Sequence, residues 1–364
     1  MITSRENIKS WYILYFLILI LAGIGLNILL ASTAYMGRVS FDDPYYFVKK
    51  QVVFISTGMI VLLVFSFFPY RNWLKFAWPI YGFTILLLVL VFVPVIGKEA
   101  GGASRWLQMG GFSMQPSDLA RFAVVLVIAR LAAHGGFRDF TRALVVIVII
   151  IIPTILIGSE PDLGTAVHLI STAGVLLLFG GFRLSLLSGL FVASLPVLYY
   201  ALSRVHFRWE RIKAFLDPVK YRFEEAYQLI ASYKSFLAGG LFGQGLGEGL
   251  RRHNLQARHT DFILAIVAED TGFIGISLIL ALYCIISVYA LWLLKKVEDT
   301  FGRVLGTGII LLFTLQAVMN IAVTMGLLPT TGINLPLLSY GGTSALTYLG
   351  MLGILINIIK ENNG

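Results

Sequence analysis

Cysteine and charge are both scarce in this chain. Of 364 residues only Cys284 is a cysteine. That excludes an internal disulfide and any metal site built on paired thiolates. Cys284 lies inside an apolar run, where it reads as a small apolar side chain. Charged residues make up 13% of the chain, against about 25% in a soluble domain. No stretch is polar enough for a separate soluble domain. There is no heptad tract, low-complexity tail or internal repeat. No Walker A loop and no dinucleotide fingerprint set in a strand-turn-helix unit appears.

What the chain has instead is apolar length. Hydrophobic residues make up 58% of it. Runs such as ILYFLILILAGIGLNILLA (13–31) and ALVVIVIIIIPTILIG (143–158) approach the roughly 17–25 residues that cross a bilayer. The first lacks a small-residue cleavage pattern and is expected to be a retained span. Ten spans are predicted, near 11–32, 51–68, 76–96, 118–133, 143–158, 164–181, 184–202, 273–294, 304–324 and 342–359. The runs are continuous rather than alternating, so they predict helices and not barrel strands. The expected fold is all-α: one polytopic integral membrane domain over 1–364, with a long extracytoplasmic loop, 203–261, between the seventh and eighth spans.

The formal charge is +9. The basic residues sit beside the spans, which points to orientation and anionic lipid headgroups rather than nucleic acid. With the N-terminus inside, the inner segments carry twelve Lys/Arg and the short outer ones six. That ratio predicts both termini in the cytoplasm. The remaining ten lie in the 59-residue loop, against six Asp/Glu. Loops longer than about 12–15 residues are usually functional. WERIKAFLDP and FEEAYQLIASYKSFLAGG within it are periodic enough for short interfacial helices.

Several polar constellations break the apolar pattern. Asp261 stands at the lip of an apolar segment, among Arg251, Arg252, Arg258 and His259. It reads either as a helix cap, with Thr260 as the alternative cap, or as a general base, metal ligand or ion-pair partner at the water–lipid boundary. Glu269 and Asp270 follow two turns on and are costly in hydrocarbon, so 262–272 is expected to be shielded by protein. Asp118 and Arg121, three apart, share a helical face and read as a structural ion pair or as cavity lining. Asp162, in GSEPDLGTAVH, reads as a cap or as a side chain aimed into a cavity. GGLFGQGLGEGL (239–250) reads as a flexible connection, or as a turn whose amides hold phosphate. LLPTTGINLPLLSYGGTSA (327–345), broken by two prolines and three glycines, is expected to line a cavity.

These segments, in this order, resemble the shape, elongation, division and sporulation (SEDS) family of cell-wall polymerases, the RodA and FtsW group. The matching stretches are GASRWLQMGGFSMQPSDLAR (102–121), EPDLGT (160–165), FLDP…YQLIAS…GGLFGQGLG (within 215–247), HTDFILAIVAEDTGFIG (259–275) and LLPTTGINLPLLSYGGTS (327–344). The likeness runs along nearly the whole chain. It implies a ten-helix glycosyltransferase of the bacterial cytoplasmic membrane that polymerises lipid II, working on the extracytoplasmic side. A sugar hydroxyl attacks an undecaprenyl-pyrophosphate-linked donor with inversion. The family's catalytic carboxylate falls on Asp261. Arg105 and Trp106 match the family's Arg-Trp pair and frame the cavity. Arg208, Arg211, Lys234, Arg251, Arg252 and Arg258 are candidates for the departing pyrophosphate. Gln115, Asp162, Gln228, His259, Thr260, Ser339 and Tyr340, in the matching motifs, complete the expected substrate contacts. The resemblance also implies a single-span class B penicillin-binding protein as transpeptidase partner. A divalent cation, Mg or Mn, is a candidate helper, with Asp261 then a ligand rather than a base.

The chain departs from the family in places. A Leu-Pro-Glu usually precedes the Ala-His-Thr-Asp-Phe run. Here Leu255 and Gln256 lead to Ala257, Arg258 and His259, without the proline and glutamate. The usual Glu and Lys after Gln-Pro-Ser are Asp118 and Arg121, a shorter acid facing a planar fork. SFDDPYYFVKKQ before the second span looks most like the division branch, FtsW, ahead of the elongation and sporulation branches. Two other classes fit intramembrane charges and broken helices: a lipid II flippase and a non-catalytic cell-wall scaffold.

Overall fold

The computed structural model describes residues 4–93, 97–100, 103–109, 112–137, 140–249 and 259–362. In chain order it has α1 (Ser4–Phe41), α2 (Tyr46–Phe67), a 3-10 turn at Tyr70–Asn72, α3 (Trp73–Leu90), β1 (Gly97–Ala100), β2 (Ala103–Met109), β3 (Phe112–Met114), α4 (Pro116–Ala133), α5 (Phe140–Ser159) and α6 (Leu163–Phe179). Then come α7 (Leu184–Ser203), α8 (His206–Leu216), α9 (Tyr227–Gly239), α10 (Ile263–Leu294), α11 (Thr300–Thr324) and α12 (Gly342–Asn362). Helices α1 to α7 and α10 to α12 fall on the ten predicted spans. Among the described residues, seven helices are long and apolar enough to cross a membrane, and α6 and α7 are shorter apolar helices. The remaining one, α4, carries Asp118, Arg121 and Arg130 and is walled in by protein. The chain is an integral membrane protein.

Helix α4 owes its place to what surrounds it. Every residue from Phe122 to Ala129 is buried. It packs against α3 on one side and α11 on the other, while α12 lies along α2. Almost every described residue of α7 is exposed, so that helix forms the edge of the bundle. At the end holding the chain termini, the Tyr70 amide donates to Asn357 Oδ1 at 2.8 Å. Lys360 sits 4.2 Å from the Phe67 ring. The opposite end gathers α8, α9, the sheet and the turn before α12, and the site is there.

Three features go beyond the sequence-based expectations. Helix α1 runs on to Phe41 and α2 starts at Tyr46, so a tight turn joins them in place of a longer link. Asp43 fixes that turn, accepting from the Tyr45 amide at 2.9 Å and Lys49 Nζ at 2.8 Å. The second is an antiparallel three-stranded sheet in the order β1-β2-β3. Leu107 tucks under the sheet against Leu87 and Val91. By the two-residue alternation of a strand, its neighbour Trp106 turns to the other face.

The third is a break in α10. Gly272 has φ 66 and ψ −164, conformations open to glycine alone. The first half, from Ile263 to Asp270, is wholly buried, as expected for a segment shielded by protein. The glycine-rich stretch after α9 repairs the break. Gly240 O accepts from the Phe273 amide at 2.9 Å, and the Gln244 and Gly245 amides donate to Glu269 O and Asp270 O at 2.9 and 3.0 Å. The Gly247 amide donates to Asp270 Oδ2 at 3.0 Å. A Cβ on Gly243 would stand 2.6 Å from the Thr271 Cα. This goes against the reading of 239–250 as a flexible connection or phosphate turn: the Gln244, Gly245 and Gly247 amides are engaged by α10.

Candidate active site

A cavity of about 370 Å³ opens at this end, lined by residues of α2, α4, α6, α11, the sheet, the segment before α10 and the turn before α12. Trp106, Gln115, Asp118, Arg121, His259, Thr260, Asp261 and Tyr340 all line it, as do Gln316, Gly332 and Asn334. Residues far apart in sequence, from Phe54 to Ser344, therefore share one space.

Asp261 is half-buried on that wall. Helix α10 begins after Phe262, and no side chain caps it there. The capping role open to Asp261 and Thr260 is thus not taken up, and the Asp261 carboxylate is left facing the cavity. Its backbone is held hard. Asn320 Nδ2, on α11, donates to Asp261 O at 2.8 Å and to Ile333 O at 2.6 Å. Ser339 Oγ donates to Thr260 O at 2.6 Å and accepts from the Leu335 amide at 2.9 Å. Ser339 thus spends its hydroxyl on backbone, and is placed to shape the turn rather than to face a ligand. Burial pushes the Asp261 carboxyl up to about 6 and Asp162 adds to the rise, while Arg211 and Arg105 pull the other way. A carboxylate tuned toward neutrality can take a proton from an alcohol and release it again near physiological pH.

Two arginines approach Asp261. Arg105, on β2, donates from Nε to Glu160 O at 3.3 Å and from Nη2 to Pro161 O at 2.5 Å. That leaves Nη1 turned toward Gly332. A Cβ on Gly332 would lie 3.7 Å from Arg105 Nη1 and 3.8 Å from Asp261 Oδ2. Arg211, on α8, donates to Thr330 O at 3.2 Å. Desolvation and the nearby Arg105 lower its affinity for its proton, and Asp261 opposes this. Arg208, a turn earlier, donates to Gly158 O at 2.7 Å. None of the three lines the cavity, but clustered positive charge at a partly dry site suits an anion nearby.

Asp162 resolves as a cap. It accepts from the Thr165 amide at 3.1 Å and Thr165 Oγ1 at 2.9 Å, opening α6. It also accepts from Gln115 Nε2 at 3.2 Å, and so aims Gln115 into the cavity. Asp118 and Arg121 form the expected ion pair, both nearly inaccessible. They also line the cavity, so the structural and lining readings hold together. Arg121 further meets Gln316 and His168 Nδ1, the latter at 2.8 Å. Gln316 donates to Asn334 Oδ1 at 2.6 Å.

Some expected contacts lie elsewhere. Lys234 is exposed on α9, and Gln228 is half-buried there, neither lining the cavity. Arg251, Arg252 and Arg258 fall outside the described residues. Sequence reasoning missed Gln316, Asn320, Asn334, His168 and Glu160. Gln316, Asn320 and His168 sit inside apolar spans, where a polar side chain is expensive, and that was the signal to follow. Glu160 is 1% exposed, and neither carboxyl oxygen has a hydrogen-bond partner. Burial, then Asp162, drives its carboxyl up to about 8, against the pull of Arg105.

A divalent cation finds few ligands here. Among the described residues no three His, Cys, Asp or Glu are gathered to hold one. Asp162 is occupied as a cap, and Arg105 and Arg211 already offset Asp261. This donor set does not form a resident metal cage.

The fold and the site define a class: polytopic membrane proteins with a cavity lined by polar and charged side chains at one end of the bundle. Within that class, the chain belongs to the FtsW/RodA/SpoVE family of cell cycle proteins, whose family model matches residues 12–364. It is 37% identical over 357 residues to a probable peptidoglycan glycosyltransferase FtsW of Trichlorobacter lovleyi, covering 95% of this chain and 92% of that one. It is 31% identical over 352 residues to the stage V sporulation protein E of Bacillus subtilis, covering 96% of each. Among solved structures, it matches a chain from a study of how a peptidoglycan synthase complex coordinates polymerization and crosslinking. That match has a TM-score of 0.82 and 26% identity, covering 96% and 98% of the two chains. The rod shape determining protein RodA of Thermus thermophilus shares the fold, with a TM-score of 0.72 and 24% identity over 96% of each chain.

Proposed function

We propose that this chain is a peptidoglycan glycosyltransferase that polymerises lipid II, with Asp261 as general base. The observation that carries this is the Asp261 carboxylate on the cavity wall, not used as a cap, raised to about 6 by burial and offset by the nearby Arg211 and Arg105. The names borne by its relatives point the same way.

The reaction divides between those groups. The acceptor's sugar hydroxyl gives its proton to Asp261 as its oxygen bonds to the donor's anomeric carbon. The bond from that carbon to the lipid diphosphate breaks, and the electron pair leaves with the diphosphate. Configuration inverts. Arg105 and Arg211 offset the charge that builds on the leaving group. A general base contributes about 10²–10⁴-fold. Mg or Mn would take most of its ligands from substrate phosphates and water, and no step above needs it.

The excess of Lys and Arg at the terminal end supports a cytoplasmic placement of both termini, with the cavity outside a bacterial inner membrane. The resemblance to a peptidoglycan synthase complex supports a class B penicillin-binding protein as partner. The FtsW names among its relatives favour division over elongation.

The test is glycan formation by the purified chain from labelled lipid II in detergent, beside Asp261→Ala and Asp261→Asn. Both variants should keep their thermal transition and lose at least about 10²-fold in rate. Lipid II moved across proteoliposomes with no polymer formed would make the chain a flippase. Unaltered growth support by Asp261→Ala would make it a scaffold.

A further inference from the structure

The cations at this end fall into two groups. Arg105 and Arg211 act on Asp261. Lys50 Nζ stands over the Tyr46 ring, 4.3 Å from its centroid. The groups stand on different elements: β2 and α8 for the first, α2 for the second. Lys50 shares a helix face with Phe47 and Phe54, three residues before it and four after. Phe54 lines the cavity.

The Lys50 side is aromatic. Phe47 is buried and meets the Tyr340 ring edge-on, centroids 5.6 Å apart at 88°. It lies 5.4 Å from the His259 ring, and His259 and Tyr340 are 5.9 Å apart. The Tyr340 amide donates to His259 O at 2.8 Å, which fixes the two rings together. Both are half-buried and line the cavity. Lys50 Nζ donates to Tyr46 OH at 2.6 Å and remains exposed.

An inverting displacement brings nucleophile and leaving group to opposite faces of one carbon. The arginine side suits the leaving diphosphate. We propose that the α2 side, with His259, Tyr340 and Lys50, is the acceptor subsite: a sugar ring rests on the face of one of the two rings, with the other against its edge, and an anionic group of the acceptor meets the Lys50 ammonium. Asp261, two residues after His259, then lies between acceptor and donor. Flat aromatic faces bind the apolar face of a sugar ring and leave its hydroxyls directed outward. A lysine at a helix end also suits phospholipid headgroups, and that alternative predicts no effect on the acceptor.

This inference rests on the glycosyl-transfer reading. Its test uses the whole chain in detergent, with a labelled lipid II whose attacking hydroxyl is blocked, so that it serves only as donor. Unlabelled lipid II is the acceptor, and labelled coupled product is counted. Lys50→Ala and Tyr340→Ala should raise the acceptor KM about two- to fivefold, the range for a partly exposed charge, with the donor KM unchanged. Tyr340→Phe keeps the ring and should recover most of the acceptor affinity that Tyr340→Ala loses. The Lys50→Ala effect should shrink with added salt. An unchanged acceptor KM in both alanine variants, or a donor KM raised instead, overturns the subsite. No coupled product from the wild-type chain overturns the glycosyl-transfer reading itself.

Discussion

Arg105 Nη1 and Asp261 Oδ2 both flank Gly332, a glycine at φ +78: a Cβ there would stand 3.7 Å from the one and 3.8 Å from the other. The guanidinium arrives from a strand, the carboxylate from the start of a helix. The left-handed backbone at Gly332 is what favours a residue without a side chain there.

Gly332→Ala tests that arrangement. A left-handed backbone costs an alanine about 1–2 kcal/mol, and the methyl group enters between the charges. Polymerisation should fall at least tenfold in kcat, about 1.4 kcal/mol or more, with the thermal transition lowered only slightly. Steady-state lipid II polymerisation beside a melting curve separates the two effects.

The rate should follow the ionisation of Asp261. A base works only without its proton, and its carboxyl is raised to about 6. Activity should be level above that value and fall about tenfold per pH unit below it. A rate held constant down to pH 4.5 would remove Asp261 from the proton transfer.

Asn320 supports Asp261 without touching the cavity. Its Nδ2 bridges Asp261 O and Ile333 O. Asn320→Ala leaves two buried carbonyls short of a donor, at about 1–3 kcal/mol. The kcat should drop while the Asp261-linked pH midpoint moves, since the carboxylate loses its anchor. A loss of stability with an unmoved midpoint would reduce Asn320 to packing.

Glu160 should make stability depend on pH. Its carboxyl is raised from 4.5 to about 8, so between those values the folded chain keeps a proton that the unfolded chain gives up. Stability is highest below the lower value, declines as pH rises through the window and levels off above about 8. Glu160→Gln removes this decline. Its melting temperature should exceed wild type at pH 8.5 and match it near pH 5. Identical curves would show that the carboxyl reaches solvent.

The spans were legible because hydrocarbon tolerates only apolar, internally bonded helices, and that condition is written residue by residue. The helices of the 203–261 loop showed through their periodicity. The sheet at 97–114 did not, since its strands are short and, among their residues whose burial is described, only Leu107 is deeply buried. Asp261 stood out as a charge at an apolar boundary. Whether it capped a helix was not in the sequence: that depended on where α10 begins, and on the contacts Asn320 and Ser339 make from far along the chain. Gln316 and His168 carried the signal of a polar side chain inside an apolar span, but their meaning lies in converging on Arg121, which Asn334 joins only through Gln316.

The break at Gly272 uncouples the rotational phase of the two halves of α10. In one continuous helix, inserting a single residue would turn everything beyond it by about 100°, and the lipid-facing stripe would move with the acids. Here the half bearing Glu269 and Asp270 keeps its own angle, set by the glycines that thread the gap. The membrane half is free to present Leu278, Ile285 and Val288 outward, all three exposed. An insertion between 263 and 271 would therefore leave the lipid face intact and swing the two acids out of their sheath, at about 2.5–3.5 kcal/mol for each one driven into hydrocarbon.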